Sequence, residues 1–560
     1  MCSVRPSSSF ASSLFTIAPS QVETYIWIAL SIAIWIGRFR SWTCWIWFIQ
    51  EVWLLLQLLS YGGTKNNNNN NNNNKRDTPD HRRYIGGGGG GGGGHDESNH
   101  HFAALAMCMV MMPGTLQAMA KAIAVNDWDV TASSWSYYTM IIAFLGGRSH
   151  NLLVVMMVGM LLGMATSNGG GVNLPLLSIT VLYWFTLEFL FQAFQTSVMM
   201  ANAFSFAELR CICMILSMMI ITFVGDVSKT DDQYFRLLLL QPFIPAISAM
   251  YVRVALSGFL GCAVTTCAIA MSTITIRQWW IRLLVNIVGP LVVVEFTLQS
   301  VGYTKRQLYV LPMSLQWLMD FLMDTESGYP RYYGLLYWGV ILSVTSLPTY
   351  YLLTVPTDRI PVVVTRKWFH LIAIMLFGPV IMIMPQLMAL SFVIAICVLM
   401  VLETLRRDLP SLQSFYVTFV DCTKDNDDQI IVSHIFLIFG CAAPLWLSLV
   451  VADATNNNTP SLLLAEFGVL CIGIGDAMGA VIGKLYGRQK WGGTNPRTLE
   501  GTFAMWLSMI VGGVLLCREG KDVFALMLAT SFTTLLEAFT IHLDNLVLPL
   551  VGSTILLLML

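Results

Sequence analysis

Apolar runs long enough to cross a bilayer recur from one end of this chain to the other. A transmembrane helix needs about 20 mostly apolar residues. Candidate spans lie near 24–37, 43–61, 151–166, 176–200, 211–226, 235–251, 255–275, 281–298, 334–355, 371–384, 387–403, 431–451, 462–483, 503–517 and 523–541. The sequence therefore predicts an all-α, polytopic integral membrane protein with about 15 transmembrane helices.

The composition excludes several classes of protein. Of 560 residues, 56% are hydrophobic and 11% are charged, against about 25% charged in an ordinary soluble domain. This excludes a soluble globular enzyme and a disordered chain. The formal net charge of −1 provides no basic field for nucleic acid. The 12 Cys include no Cys-x-x-Cys pair, which favours packing over metal binding.

The order of segments predicts four regions. A run of nine Asn and a run of nine Gly interrupt the apolar pattern, and such runs form flexible linkers because neither can bury a core. Two acids inside later spans, Glu188 and Glu295, are interpreted as structural. The predicted regions are N-terminal membrane spans at 1–61, the Asn/Gly linker at 62–101, a multi-span membrane scaffold at 102–355 and a catalytic membrane domain at 356–560.

The last two hundred residues place their charged segments on one side of the membrane. Counted from 365–370, the polar segments 404–430, 484–500 and 542–545 each follow an even number of spans. The intervening loop 452–461 lacks Lys and Arg and carries an N-glycosylation sequon. The basic residues are concentrated in the charged segments, on the side opposite this loop. The positive-inside rule therefore predicts that the side with the charged segments is cytosolic.

A glycine repeat surrounds one acid within a span. Glycines recur every four residues from Gly475 to Gly487, a spacing typical of close helix packing. Packing does not account for Asp476, which lies about 12 Å along the helix from Lys484. A carboxylate at that depth is costly unless it is paired or binds a cation. The sequence allows both a Mg²⁺ ion that bridges Asp476 to phosphate and an ion pair with a basic residue.

The loop after this helix has the residues of a phosphate site. Arg497, Thr498 and Glu500 stand beside Gly493 and Gly501. Arginine offers a fork of donors for phosphate, threonine offers a hydroxyl, and glycine exposes a backbone N–H. These features predict a nucleotide or polyphosphate site at the membrane surface. The segment contains neither a Walker loop nor a Rossmann fingerprint.

The motifs of residues 360–560 resemble those of CTP-using lipid enzymes. The Gly475-Asp476-x-x-Gly479 pattern, followed by Arg497-Thr498-x-Glu500-Gly501, resembles that of dolichol kinases, phytol kinases and phosphatidate cytidylyltransferases. Three further segments resemble the dolichol kinase branch. They are Arg366-Lys367-x-x-His370, 431–436 after an acidic loop, and 536–550 with Glu537, Asp544 and Asn545.

This resemblance implies an endoplasmic reticulum membrane enzyme with cytosolic catalytic loops. It would move the γ-phosphoryl group of CTP to the hydroxyl of dolichol or a related polyprenol, supplying the carrier for N-glycosylation. The implied partners are CTP, the lipid substrate and membrane lipids, without nucleic acid.

The resemblance also assigns residues. Asp476 would bind Mg²⁺ or another divalent cation, Arg366 and Lys367 would contact phosphates, and His370 is the candidate base, with an interfacial hydrogen-bonding role as its alternative. The implied CTP-binding residues are Gly475, Gly479, Lys484, Arg488, Lys490, Trp491, Gly493, Thr494, Arg497, Thr498, Glu500, Gly501 and Thr502.

Several points stay open at this level. Asn495-Pro496-Arg497 stands where the family tends to carry a basic pair, so Lys490 or Arg488 is expected to replace the first basic contact. The acidic loop could hold a second Mg²⁺ or be a solvated charge run; its acids are Asp421, Asp425, Asp427 and Asp428. The alternative functions are a phytol or other polyprenol kinase, a phosphatidate cytidylyltransferase, and a transporter.

Overall fold

A computed structural model describes most of the chain from residue 250 onward. The described residues are Val22, Ile26, Thr186, Phe189, Leu190, Gln192, Cys213 and the ranges 250–271, 278–300, 312–354, 362–406, 409–410, 412–413, 433–454, 461–491, 495, 497–540 and 544–559. Apart from the single residues just named, the predicted spans before 250 lie outside the described residues, and so do Glu188, the Asn/Gly linker, the four acids of the acidic loop and the sequon.

Helices make up nearly all of this part of the chain. They are α1 (Met250–Met271), α2 (Trp279–Ser300), α3 (Met313–Met323), α4 (Tyr332–Thr354), α5 (Val362–Ile383), α6 (Pro385–Arg406), α7 (Ser433–Ala454), α8 (Leu462–Gly468), α9 (Ala477–Leu485), α10 (Leu499–Val514), α11 (Gly520–Phe539) and α12 (Asp544–Met559). A π-helix, Val469–Asp476, joins α8 to α9. Strands β1 (Thr325–Glu326) and β2 (Tyr329–Pro330) form an antiparallel hairpin between α3 and α4.

Six helices of the described part are long and apolar enough to cross a membrane. They are Trp279–Gln299, Tyr332–Leu352, Pro385–Arg406, His434–Ala452, Leu462–Leu485 and Gly520–Phe539. Shorter apolar helices cover Arg253–Thr266, Lys367–Ile383, Leu499–Val514 and Asp544–Met559. The predicted all-α membrane class is confirmed at this level, and the total of about 15 spans stays a prediction.

Helix boundaries differ from the predicted spans where polar residues are helical. α5 begins at Val362 rather than near 371, and α10 begins at Leu499 rather than near 503. The Thr498 hydroxyl caps α10 by accepting the Gly501 N–H, as N-cap residues do. α12 has no counterpart among the predicted spans because its 16 residues fall short of the roughly 20 that a span needs.

Two side chains of α4 support the proline-containing part of α5. Pro379 has no N–H, so the Met375 carbonyl lacks its usual helical donor. The Tyr337 hydroxyl donates to the Met375 oxygen at 2.6 Å, and Trp338 Nε1 donates to the Leu376 oxygen at 2.8 Å. These bonds hold α5 against α4.

Glycines let α7 pack directly on α8 and α12. A Cβ atom at Gly440 would overlap the Asn545 carbonyl oxygen, and one at Gly468 would lie 2.5 Å from the Gly440 carbonyl oxygen. Both carbonyls lack a helical donor, because the residue four positions later is a proline: Pro549 for Asn545 and Pro444 for Gly440. The contacts place the start of α12 firmly against α7.

Burial separates the inner helices from the outer ones. The main core cluster joins α8, the π-helix, α10, α11 and α12, and a second cluster joins α3, α6 and α7. In α4, by contrast, Leu336, Val344 and Leu347 are exposed, as suits a lipid-facing surface. Glu295 accepts the Met313 and Ser314 N–H groups at 2.9 and 3.0 Å, which confirms its predicted structural role.

Candidate functional site

The π-helix brings Asp476 against α5. A π-helical turn takes more residues than an α-helical turn, and such turns occur frequently at functional sites. Gly473 and Gly475 leave room for Ile374 of α5 and Met509 of α10, respectively, because a Cβ atom at either glycine would lie within 2.8 Å of those side chains. Asp476 closes this segment where it meets α9.

Asp476 accepts from two side chains of α5 through one oxygen. Lys367 Nζ lies 2.5 Å from Asp476 Oδ2, and His370 Nε2 lies 3.2 Å from the same atom. The Lys367 and His370 side chains are mostly buried, and Asp476 is about one-third exposed. Residues three apart share a helix face, which agrees with the predicted placement of Lys367 and His370. Of the two options for Asp476, the ion pair is present, and its metal role stays a prediction.

A second ion-pair group lies around Arg497. Arg497 Nη2 lies 2.9 Å from Glu537 Oε1 and 3.6 Å from Asp544 Oδ2. Its Nη1 donates to the Thr540 carbonyl oxygen at 3.0 Å. Arg497, predicted as a phosphate contact, is thus paired with two acids for which the sequence suggested no role.

A small cavity connects the two ion-pair groups. The polar residues that line it are Asp476, Glu537, Asp544 and Asn545, and its apolar lining is Cys471, Ile472 and Leu548. Of the four segments predicted to share one side, 365–370, 404–430, 484–500 and 542–545, the structure brings described residues of three to this cavity: Lys367 and His370, Arg497, and Asp544 with Asn545. The placement of 404–430 stays a prediction. Their side, cytosolic or luminal, stays a prediction.

The cavity matches Mg²⁺ in donor chemistry. Carboxylate and amide oxygens are hard ligands of the kind Mg²⁺ prefers. Three acids line this cavity, and their basic partners among the described side chains are Lys367, His370 and Arg497. The part of the chain that the structure describes holds no set of three metal-ligating side chains. Mg²⁺ needs no such cage, since it commonly binds one or two carboxylates with substrate phosphates and water.

The two ends of the loop between α9 and α10, which covers residues 486–498, are hydrogen-bonded to each other. Lys490 pairs with Thr498 in an antiparallel bridge, and the Leu499 N–H donates to the Gln489 oxygen at 2.8 Å. Glu500 accepts the N–H groups of Arg488 and Gln489 at 3.0 and 3.1 Å. Hydrogen bonds from backbone N–H groups, first its own and then these two, hold the pKa of the Glu500 carboxyl below its ordinary value.

Other predicted nucleotide residues also bond within this α9–α10 loop region. Trp491 Nε1 donates to the Thr502 hydroxyl at 2.9 Å, and the Thr502 hydroxyl donates to the Thr498 carbonyl at 3.1 Å. The Trp491 ring meets the Phe539 ring edge-on at 5.1 Å. The structure thus gives Trp491, Thr498 and Thr502 contacts that shape the loop, and contact with a nucleotide stays a prediction.

The glycine repeat packs α9 on α10. A Cβ atom at Gly479 would lie 3.3 Å from the Gly501 carbonyl oxygen, and one at Gly483 would lie 3.4 Å from the Gly501 Cα. One at Gly487 would lie 2.6 Å from the Thr498 hydroxyl. The packing interpretation of the repeat is confirmed.

The remaining predicted residues fall into two groups. Lys484, Arg488 and Lys490 have exposed side chains, so their charges are accessible to a soluble anion. Arg366 lies in α5 directly before Lys367, but its side chain is outside the described atoms, as are Gly493 and Thr494 entirely.

Three residues of this region were without a predicted role. Glu537 and Asp544 pair with Arg497, and Asn495 donates to the Ala538 carbonyl oxygen. An acid near the end of an apolar run, as Glu537 is, was the available signal. Asn495 gave none, because an asparagine in a loop is ordinary.

This chain is similar in sequence to six curated dolichol kinases. It is 33% identical over 235 residues to dolichol kinase EVAN of Arabidopsis thaliana, covering 40% of this chain and 39% of that protein. It is 31% identical over 256 residues to the dolichol kinase of Mus musculus, covering 42% and 46%. It is 32% identical over 196 residues to dolichol kinase sec59 of Schizosaccharomyces pombe, covering 33% and 37%.

The chain thus spans less than half the length of these curated relatives. No family model and no solved structure matches it.

Proposed function

We infer that this chain is a member of the dolichol kinase family, and we propose that it phosphorylates dolichol with CTP as the phosphoryl donor. The observation that carries the proposal is its similarity to dolichol kinases of a plant, a mammal and a yeast. The product, dolichyl phosphate, would serve as the lipid carrier for protein N-glycosylation.

In the proposed reaction the dolichol hydroxyl oxygen attacks the γ-phosphorus of CTP. The bond from that phosphorus to the bridging β–γ oxygen breaks, CDP leaves, and the hydroxyl proton passes to a base. Phosphoryl transfer requires positioning and charge neutralisation more than covalent participation by the protein. The joined ion-pair groups around Asp476 and Arg497 supply charges of both signs at one place, which supports the proposal.

His370 is the proposed base. Its Nε2 lies 3.2 Å from the Asp476 carboxylate. When the imidazole takes the hydroxyl proton, Asp476 would stabilise the cation that forms, as carboxylates do for catalytic histidines. Lys367, directly beside both, would hold Asp476 in place and face the transferred phosphoryl group.

Mg²⁺ or another divalent cation would be held by Asp476, with oxygens of Asp544 or Asn545 at the same cavity. When bound, the ion would neutralise charge on the phosphates during transfer. The residues themselves bring three acids together, and a cation would relieve their mutual repulsion.

The α9–α10 loop is the proposed CTP-binding segment. Arg488 and Lys490 in this loop and Lys484 just before it are exposed, and they would contact the triphosphate together with Arg366. Arg497 forms ion pairs with Glu537 and Asp544. Its proposed role is therefore to link the loop to α11 and α12 and, from that position, to neutralise charge on the phosphates. Gly475, Gly479 and Gly501 would act by letting the helices beneath the loop approach closely.

The proposed location is the endoplasmic reticulum membrane, with the site on the cytosolic side, where CTP is available. The basic residues of the α9–α10 loop support this orientation through the positive-inside rule. Dolichol would reach the site from within the bilayer.

A transfer assay tests the proposal. Membranes containing this chain would receive γ-labelled CTP, Mg²⁺ and dolichol, with phytol and diacylglycerol as competing acceptors and empty-vector membranes as the control. The proposal predicts labelled dolichyl phosphate above the control, reduced little by either competitor. Labelled phytyl phosphate in preference to dolichyl phosphate, or no labelled lipid, would overturn it.

A further inference from the structure

Asn495 is a buried polar side chain whose two polar atoms both have partners. It is 6% exposed. Its Nδ2 donates to the Ala538 carbonyl oxygen at 2.7 Å, and its Oδ1 accepts the Arg497 N–H at 2.9 Å. A carbonyl on one side and an N–H on the other fix the orientation of the amide, because the flipped amide would satisfy neither.

Ala538 lies in the last turn of α11, where helix carbonyls lack intrahelical donors. Three consecutive residues there contact the α9–α10 loop. Ala538 accepts from Asn495, the Phe539 ring meets Trp491, and the Thr540 carbonyl accepts from Arg497. The end of α11 is therefore the surface on which this loop is docked, and the Arg497 charge lies where the helix dipole favours a cation.

This docking determines where the Arg497 guanidinium lies. The Asn495 amide fixes the Arg497 backbone N–H relative to Ala538, the residue directly after Glu537. From that backbone position the guanidinium reaches Glu537 and Asp544, two acids of the cavity that also includes Asp476. One amide thus connects the loop, the α11 terminus and the charged cavity.

We propose that Asn495 is a positioning residue of this site: its amide clamps the α9–α10 loop to the end of α11 and thereby sets Arg497 between Glu537 and Asp544. The inference rests on the proposed function, since it makes Asn495 a determinant of CTP binding. Aspartate would lose the donor to Ala538, and leucine would lose both bonds at nearly unchanged volume.

Two readouts test the clamp on full-length protein in membranes. The first is tryptic cleavage between Arg497 and Thr498, which requires the loop to leave its docked position and does not depend on activity. The second is the KM for CTP at saturating dolichol. Asn286→Leu is the matched control, because Asn286 is 2% exposed and bonds Thr404 and Thr266 away from this cavity.

We expect Asn495→Leu to raise both the cleavage rate after Arg497 and the KM for CTP by about tenfold, with the KM for dolichol unchanged. Asn286→Leu should change neither. If Asn495→Leu does not accumulate as folded protein, Asn495→Asp serves in its place, since it retains the acceptor for the Arg497 N–H.

Wild-type cleavage and wild-type KM for CTP in the Asn495 variants would overturn the clamp. Equal effects of Asn286→Leu and Asn495→Leu would also overturn it, since a general loss of packing would then suffice. A wild-type chain without transfer activity would instead contradict the proposed function, and the cleavage rates would still decide the clamp.

Discussion

The Lys367 ammonium lies 2.5 Å from the Asp476 carboxylate, although 109 positions separate the two residues in the chain. His370, from the same helix as Lys367, contacts the same oxygen. α5 and the π-helix are thus joined at the carboxylate on which the proposed chemistry depends. An ion pair so placed both neutralises an acid inside a candidate membrane span and fixes a candidate base beside it.

The first prediction concerns Lys367. Lys367→Met should lower kcat/KM for phosphoryl transfer at least about tenfold, because it removes the ammonium group that pairs with the partly buried Asp476 carboxylate and holds it in place. Lys521→Met removes the exposed Lys521–Glu519 pair, whose atoms are 3.3 Å apart, and should stay within about twofold because such surface pairs contribute little. Transfer rates per amount of folded protein check this. Equal rates in the two variants would contradict a role for the Lys367–Asp476 pair.

The second prediction concerns pH. The pKa of Glu500 is lower in the folded loop than in an unfolded chain. At a pH above the ordinary glutamate pKa of about 4.3, the ionised Glu500 therefore stabilises the folded loop. That contribution is lost as pH falls through the lowered pKa. Hydrogen exchange of the Arg488 and Gln489 amides, corrected for intrinsic rates, should therefore accelerate below about pH 4. In Glu500→Gln the Arg488 and Gln489 amides should exchange faster already at neutral pH, with no further acceleration below about pH 4. An acceleration of wild-type size in this variant would show that the Glu500 carboxylate is not its cause.

The third prediction concerns the support of α5 by α4. Tyr337→Phe should destabilise the protein by about 1–3 kcal/mol, because the Met375 carbonyl then lacks a donor. Pro379→Ala restores a helical N–H to that carbonyl, so the double variant should recover most of the loss. Thermal unfolding in detergent measures the stability of the wild type, the two single variants and the double variant, which together form a double-mutant cycle. Additive effects would show that Tyr337 does not serve the carbonyl that Pro379 exposes.

The fourth prediction concerns glycine packing. Gly440→Ala should cost about 1–3 kcal/mol or more, because its Cβ atom would overlap the Asn545 carbonyl and lie 2.7 Å from Ile472. Gly339→Ala is the matched control in another helix, since nothing lies within 4 Å of its Cβ position; it should be neutral or stabilising. Similar unfolding temperatures for both variants would contradict the packing.

The sequence was most informative where a short spacing decides a contact. Lys367 and His370 are three residues apart, so their shared direction follows from helix geometry alone. The glycine repeat likewise predicted the close approach of α9 and α10. Counting spans placed 365–370, 404–430, 484–500 and 542–545 on one side of the membrane.

Contacts between helices that are distant in the sequence could not be predicted from local spacing. Arg497 looked like a phosphate ligand because its neighbours are Thr and Gly, yet its partners are Glu537 and Asp544. Which acid meets which base depends on the packing of α11 and α12, and no local pattern encodes it. The π-helix was equally hidden, because its residues Val469–Asp476 are apolar except for Asp476 and so form no periodic polar face that a wider turn would shift.

The central claim is that this chain transfers the terminal phosphoryl group of CTP to dolichol at the Asp476 site. Purified chain in vesicles with dolichol and Mg²⁺ would receive CTP labelled at the γ-phosphorus in one reaction and at the α-phosphorus in another. The account predicts γ-label in dolichyl phosphate, no α-label in lipid, and at least about 100-fold less product with Asp476→Asn. Label from the α-phosphorus in lipid, or undiminished transfer by Asp476→Asn, would contradict it.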